Sequence, residues 1–203
     1  MADHPPIILA SGSQARQQML KQCGLDFSVR PADIDEAAII GQADKLTPSK
    51  ASEILALEKA KAVSHLKPDA LVIGSDQVLD FEGEIVSKAG DKAAAREKLM
   101  RLRGKTHHLH SAVCVCLDGK PVFTAYDKAT LTMRDFDDVF LDHYMDIEAD
   151  ALTSCVGAYK IEGVGAWLFS EVEGDTYTIM GMPLFPLLGF LYETYGVLPC
   201  KAD

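Results

Sequence analysis

Basic residues are scarce in this chain. Twenty Lys and Arg stand against thirty Asp and Glu in 203 residues, a formal charge of −10. A protein this acidic has no broad basic face for a nucleic-acid duplex, so an anionic ligand needs a local basic island. Paired cysteines are missing too: Cys23, Cys114, Cys116, Cys155 and Cys200 are odd in number and lack the C-x-x-C spacing of a zinc site. They read as reduced thiols. Long hydrophobic runs are also absent. Met1 to Pro6 has no basic n-region, and Ile7 to Ala10 is too short for the apolar segment of a signal peptide. The stretch Met182 to Tyr192 is interrupted by Pro183 and Pro186 and falls short of the roughly 20 residues that span a bilayer. These absences predict a cytoplasmic protein with neither a membrane segment nor a DNA or RNA partner. Repeats, low-complexity tracts and linkers are lacking as well, so residues 1–203 read as a single domain, ample for a core or for two small lobes around one cleft.

What is present is globular: 48% apolar and 25% charged residues. Ile7 to Ala10 predicts a strand leading through Ser11-Gly12-Ser13 into a helix from Gln14 to Cys23, with Gly24 as its stop. Phe27 to Arg30 is a second short strand, and Pro31 to Leu46 reads as a loop. Thr47-Pro48 opens a helix whose apolar face is Ile54, Leu55, Ala62 and Leu66. The buried strand Ala70 to Gly74 delivers Ser75-Asp76-Gln77 at its C-terminal end, where open α/β sheets place ligands. A small hairpin over Val78 to Val86, a helix from Asp91 to about Met100, and a long hairpin of Leu109 to Leu117 with Val122 to Met133 follow. Asp135 caps a helix through about Met145, Ala166 to Val172 is a strand, and Pro183 to Tyr195 is a final helix closed by Gly196. The order predicts an α/β protein with a mixed sheet.

Several groups carry chemistry. The strand-to-helix turn Ser11 to Arg16 aims backbone amides and a helix dipole at one point and adds hydroxyls and a guanidinium, which suits phosphate oxygens. An ordinary capped helix accounts for the same residues. Asp76, ending an apolar strand, needs a cation, donors or water to offset desolvation, although a turn-capping aspartate is the plainer alternative. Lys59 and Lys88 become interesting only if the fold brings them to the same place. Asp33, Asp35 and Glu36 offer oxygen ligands for a hard cation, or a solvated acidic loop. His107, His108 and His110 cluster, but a two-histidine face lacks the third ligand of a catalytic zinc. Gly163-Val-Gly165 lacks the third glycine and the preceding strand of a dinucleotide fingerprint.

Four blocks in order resemble the Maf family of nucleoside triphosphate pyrophosphatases, over Ile7 to about Leu191. They are Leu9-Ala-Ser-Gly-Ser-Gln-Ala-Arg16; Ile73-Gly-Ser-Asp-Gln-Val78; Gly83-Glu-Ile-Val-Ser-Lys88 with Gly104-Lys-Thr-His107; and Glu162-Gly163, Glu173-Gly174-Asp175 and Gly181-Met-Pro-Leu184. The resemblance implies an elongated mixed β-sheet flanked by helices, with two lobes around a central cleft. It implies hydrolysis of a nucleoside triphosphate to the monophosphate and pyrophosphate with Mg²⁺ or Mn²⁺. It puts Ser11, Ser13, Arg16, Lys59 and Lys88 on the triphosphate, makes Asp76 the proton acceptor, and gives the metal to Glu36 with Asp76. It also leaves room for a homodimer. Gln77 and Glu162 resemble the subfamily acting on 7-methylguanosine triphosphate, in which Glu162 would accept hydrogen bonds from the guanine edge. Two departures stand against the pattern: Gln14-Ala15 replaces Pro followed by Arg or an aromatic, and Gln17 replaces a second arginine; the same Ala15 also breaks the subfamily match. Two rival readings are a nucleotidyltransferase, which needs an acceptor other than water, and a non-catalytic nucleotide-sensing regulator of cell division.

Overall fold

A computed structural model describes residues 4–41 and 46–201. β1 (Ile7–Leu9) leads into α1 (Gln14–Gln22), whose N-cap is Ser13, with its hydroxyl accepting from the Arg16 amide. β2 (Ser28–Val29) returns parallel to β1. Within the expected loop Pro31 to Leu46 the chain instead forms a short helix, α2 (Glu36–Gly41), while residues 42–45 lie outside the described residues. Asp35 explains the difference, because its Oδ1 accepts from the Ala38 amide at 2.9 Å. An acidic run that reads as loop is here a helix cap.

α3 (Pro48–Ser64) opens at Thr47 as expected, but the helix is rotated relative to the sequence reading. Leu66 is 60% exposed, and the buried face is Ala51, Ser52, Leu55, Ala56, Ala60, Val63 and Ser64. Small side chains let this helix lie directly on the sheet. At the nearest approach is Gly74, where an added Cβ would collide with the Ala56 carbonyl oxygen and stand 2.9 Å from the Ala60 Cβ. Backbone cannot yield as a flexible side chain can, so Gly74→Ala is expected to cost about 3 kcal/mol or more in denaturant unfolding. A change below about 1 kcal/mol would mean that α3 is not held against the strand as described.

The strand below α3 is longer than expected. β3 (Leu71–Phe81) runs for eleven residues, so Asp76 lies in its middle and not at the end of a strand Ala70 to Gly74. The reason is its neighbour β5 (Thr106–Leu117), which pairs antiparallel with β3 from Val72 to Asp80 and carries the ladder past the glycine. On the opposite edge β1 pairs only with Leu71 to Ile73, and β4 (Glu84–Val86) only with Leu79 to Phe81. Gly74 to Val78 therefore have no strand partner on that edge among the described residues.

β6 (Lys120–Met133) forms the long hairpin with β5 and pairs with β7 (Phe169–Glu173), giving the order β2-β1-β3-β5-β6-β7 with β4 beside β3. The sheet is mixed, parallel only at β1–β2 and β1–β3 and antiparallel elsewhere. Asp91 caps α4 (Lys92–Leu102) as expected. Asp137, not Asp135, caps α5 (Asp138–Ile147) by accepting from the Phe140 amide at 2.8 Å. The expected strand Ala166 to Val172 divides into a 3-10 helix, Val164–Leu168, and β7. α6 (Ala151–Ser154) and α7 (Thr176–Met180) have no counterpart in the sequence reading, and both are too short to show a full apolar period. α8 (Leu184–Tyr195) is closed by Gly196 at φ 65°.

The two largest of four apolar clusters divide the molecule. One gathers Leu9, Met19, Leu20, Ile73, Val113 and Leu187, and the other Leu79, Phe81, Leu99, Leu109, Leu131 and Leu168. They share β3 and β5 and flank the unpaired edge of β3, so the expected two lobes and central cleft are present. All five cysteines are free thiols. Among the described residues no helix is long and apolar enough to cross a membrane.

Candidate active site

A cavity of about 1110 Å³ opens where β3 lacks its edge partner. Ser11, Ser13, Arg16, Glu36 and Lys59 line one side, Asp76 and Gln77 the floor, and Lys88 and Glu162 the far wall. Nine of the nominated residues thus border one cleft, whereas Asp33, Asp35 and the three histidines are not part of its lining. The convergence has a local cause. Gly74 and Asp76 share the face of β3 under α3, which carries Lys59. Ser75 and Gln77 point to the other face, toward α7.

On the α7 face, Arg16 is 8% exposed. Its Nε donates to the Gly181 carbonyl at 3.0 Å and its Nη1 to Ser11 Oγ at 3.2 Å. Ser75 Oγ donates to the same carbonyl at 3.0 Å. Gly181 sits at φ 115°, a conformation that calls for glycine, and it packs beside the guanidinium. Burial pushes the pKa of Arg16 down, against the pull of Asp76 and Glu36. Ser11 Oγ also accepts from the Ser13 amide at 3.3 Å. The turn is thus folded on itself around one guanidinium.

On the α3 face, Lys59 Nζ contacts Asp76 Oδ1 at 2.5 Å and Glu36 Oε1 at 2.7 Å. One ammonium joins a buried carboxylate to an exposed one. Burial pushes the pKa of Asp76 above the ordinary aspartate value, and Lys59 and Arg16 recover only part of that shift. Desolvation wins because the strand offers the carboxylate no water on its sheet side. Gln77 is tied down: its amide nitrogen is within reach of Ser111 Oγ at 3.1 Å and of the Thr178 and Ile179 carbonyls at 3.0 and 2.9 Å. It anchors α7 while bordering the cleft. Lys88 and Glu162 are exposed, and Glu162 makes no ion pair among the described residues.

Some candidates are spent elsewhere. Asp35 caps α2. The histidines split between faces: His107 Nε2 meets Tyr159 Oη at 2.7 Å in the core, and burial lowers its pKa to about 4. His110 contacts Tyr126 Oη at 2.6 Å and Asp80 Oδ2 at 3.2 Å, and His108 contacts Thr130 Oγ1 at 3.1 Å. Among the described residues no group of three or more His, Cys, Asp or Glu is arranged to hold a metal ion. The sequence reading overlooked Lys160 and Cys155, which also line the far wall. Lys160 lies two residues before Glu162 in a segment without regular structure, and no periodicity marks it.

The sequence comparisons cover nearly the whole chain. The family described as Maf-like protein matches residues 6–194. A nucleoside triphosphate pyrophosphatase of Paramagnetospirillum magneticum is 46% identical over 194 residues, 95% of this chain and all of that one. The protein of the same name from Caulobacter vibrioides is 45% identical over 95% of this chain and 97% of its own length. Among solved structures, the Staphylococcus aureus Ham1 protein matches at 21% identity and a TM-score of 0.41, over 64% of this chain and 72% of that one.

Proposed function

This chain belongs to the Maf family, and from that premise we propose how its cleft works as a nucleoside triphosphate pyrophosphatase. The reaction is hydrolysis of a phosphoric anhydride: water adds to the α-phosphorus, the bond to the bridging oxygen breaks, and monophosphate and pyrophosphate leave. The observation that carries the assignment of residues is Asp76, a buried carboxylate in mid-strand that faces a cleft otherwise lined by Ser11, Ser13, Arg16, Lys59 and Lys88.

Each side chain has a task set by its chemistry. Ser11, Ser13 and the amides at the start of α1 donate to the polyphosphate, and Arg16 offers the three N–H donors left free by Gly181 and Ser11. Lys59 has one donor beyond its two carboxylate partners, and Lys88 meets the anion from the far wall. These cations balance the charge that builds on the departing pyrophosphate. Asp76 takes the proton of the attacking water, aided by a pKa that burial has raised.

A divalent cation, Mg²⁺ or Mn²⁺, fits the donor set. Glu36 and Asp76 already converge on one positive charge, the Lys59 ammonium, and Mg²⁺ favours one or two carboxylates with phosphate oxygens. Bound there, it would supply Lewis-acid stabilisation of phosphate charge. A nucleotide-pool substrate also agrees with a cytoplasmic protein.

For the base, the proposal is 7-methylguanine, held by Glu162. A carboxylate accepts from the N–H groups of a guanine edge and favours the positive charge of a methylated ring. A panel of triphosphates assayed for pyrophosphate release should show 7-methyl-GTP preferred over GTP. Glu162→Gln should erase about tenfold of that preference, the worth of one charged interaction. Equal rates on both nucleotides before and after the substitution would remove Glu162 from base recognition while leaving the reaction class intact.

A further inference from the structure

Lys98 lies on α4, outside the lining of the cleft, yet it holds that lining together. Its Nζ donates to the Ser87 carbonyl at 2.5 Å and to the Val156 carbonyl at 2.8 Å. Ser87 adjoins Lys88 in the segment between β4 and α4, and Val156 follows Cys155 in the segment after α6. These are two separate stretches of the far wall. Among the described residues Lys98 makes no ion pair with a carboxylate. A half-buried ammonium held only by carbonyls is unusual, because a carboxylate would offset its desolvation better. Burial and the charge of Lys88 together push its pKa down to about 8, so the two lysines are close enough to repel.

We propose that Lys98 is a positioning residue for Lys88: it ties the segment before α4 to the segment after α6 and so holds Lys88 at the triphosphate. The inference rests on Lys88 being a triphosphate contact. Alone, the exposed segment Ser87 to Lys88 has only short β4 to steady it, and Lys88 has no ion pair of its own among the described residues. The strut replaces what the sheet does for Asp76. It also brings a positive charge beside Lys88, a cost that is relieved when Lys88 pairs with an anionic substrate.

The test is a double-mutant cycle on the dissociation constant of an α,β-methylene nucleoside triphosphate, which cannot be hydrolysed at that bond. Lys88→Ala is expected to weaken binding about tenfold or more, and Lys98→Met, which keeps the apolar stem, about tenfold. Combined, they should bind no more weakly than Lys88→Ala alone, because the strut acts through Lys88. Lys98→Arg, which keeps donors and charge, should restore affinity to within about threefold of the parent. Independent losses that multiply to about a hundredfold would overturn the strut while preserving Lys88 as a contact. Lys88→Ala that binds like the parent would overturn the contact, and the strut with it. Should Lys98→Met fail to fold, Lys98→Gln takes its place in the cycle, with the same two outcomes deciding.

Discussion

Replacing Asp76 by Asn will lower kcat by about 10²- to 10⁴-fold, the usual contribution of a positioned general base. The substitution keeps the shape of the side chain and removes its charge, so loss of turnover reports chemistry and not packing. Its effect on stability has the opposite sign. Burial raises the pKa of Asp76 in the folded protein above that of the unfolded chain, so the native state binds more protons between the two values. Stability therefore falls as pH rises through that window, and the cost is fully present above the folded-state value. Asn carries no such cost, and Lys59 keeps Glu36 as a partner. With a chelator present, thermal unfolding of Asp76→Asn should occur at or above the parent temperature at pH 7.5, and the two should converge near pH 3.5. A variant that turns over at the parental rate would exclude Asp76 as the base. One that unfolds well below the parent at pH 7.5 would mean that the ion pair with Lys59 outweighs desolvation.

Arg16→Lys should lower kcat/KM by at least about 10²-fold, and Arg16→Ala further. Lysine keeps the charge but has no planar fork, and so cannot reach Gly181 and Ser11 while still presenting donors to a phosphate. Nearly all of the loss should fall on function. The Gly181 carbonyl retains Ser75 Oγ when the guanidinium is gone, so α7 stays docked and the expected destabilisation is only about 1–3 kcal/mol. Steady-state kinetics beside denaturant unfolding separate the two quantities. Parental kcat/KM in Arg16→Lys would show that charge alone suffices and that the fork has no part in binding. The chain's own departures sharpen this prediction. Arg16 is flanked by Ala15 and Gln17, so no adjacent guanidinium can compensate for it.

The preference of β-branched and apolar residues for strands made β3, β5 and β6 legible, and Ser, Thr and Asp before helical patterns marked the starts of α1, α3 and α4. Hairpin turns were readable because Glu82-Gly83 and Asp118-Gly119 adopt positive φ. Misreadings fell where local signal and tertiary contact compete. The apolar stripe of α3 pointed toward Leu66, but a stripe of alanines over Gly74 allows closer packing and prevails. An acidic segment read as loop became α2 because Asp35 caps it.

Nine candidate residues could be named from the chain alone: local patterns at a strand-to-helix turn, in an acidic segment and in a buried strand singled out Ser11, Ser13, Arg16, Glu36 and Asp76, whereas Lys59, Lys88, Gln77 and Glu162 entered only through the resemblance to the Maf family. Sequence order also fixed the alternation of helices and strands. Whether those nine meet was decided only by the folded molecule. Two short strands, β1 and β4, leave Gly74 to Val78 without a strand partner on that edge among the described residues, and the cleft lies along that missing stretch of ladder. Pairing across a sheet links residues far apart in the chain, so no local pattern encodes it. The same holds for Lys98, an unremarkable helical lysine in the sequence, whose partners lie 11 and 58 residues away.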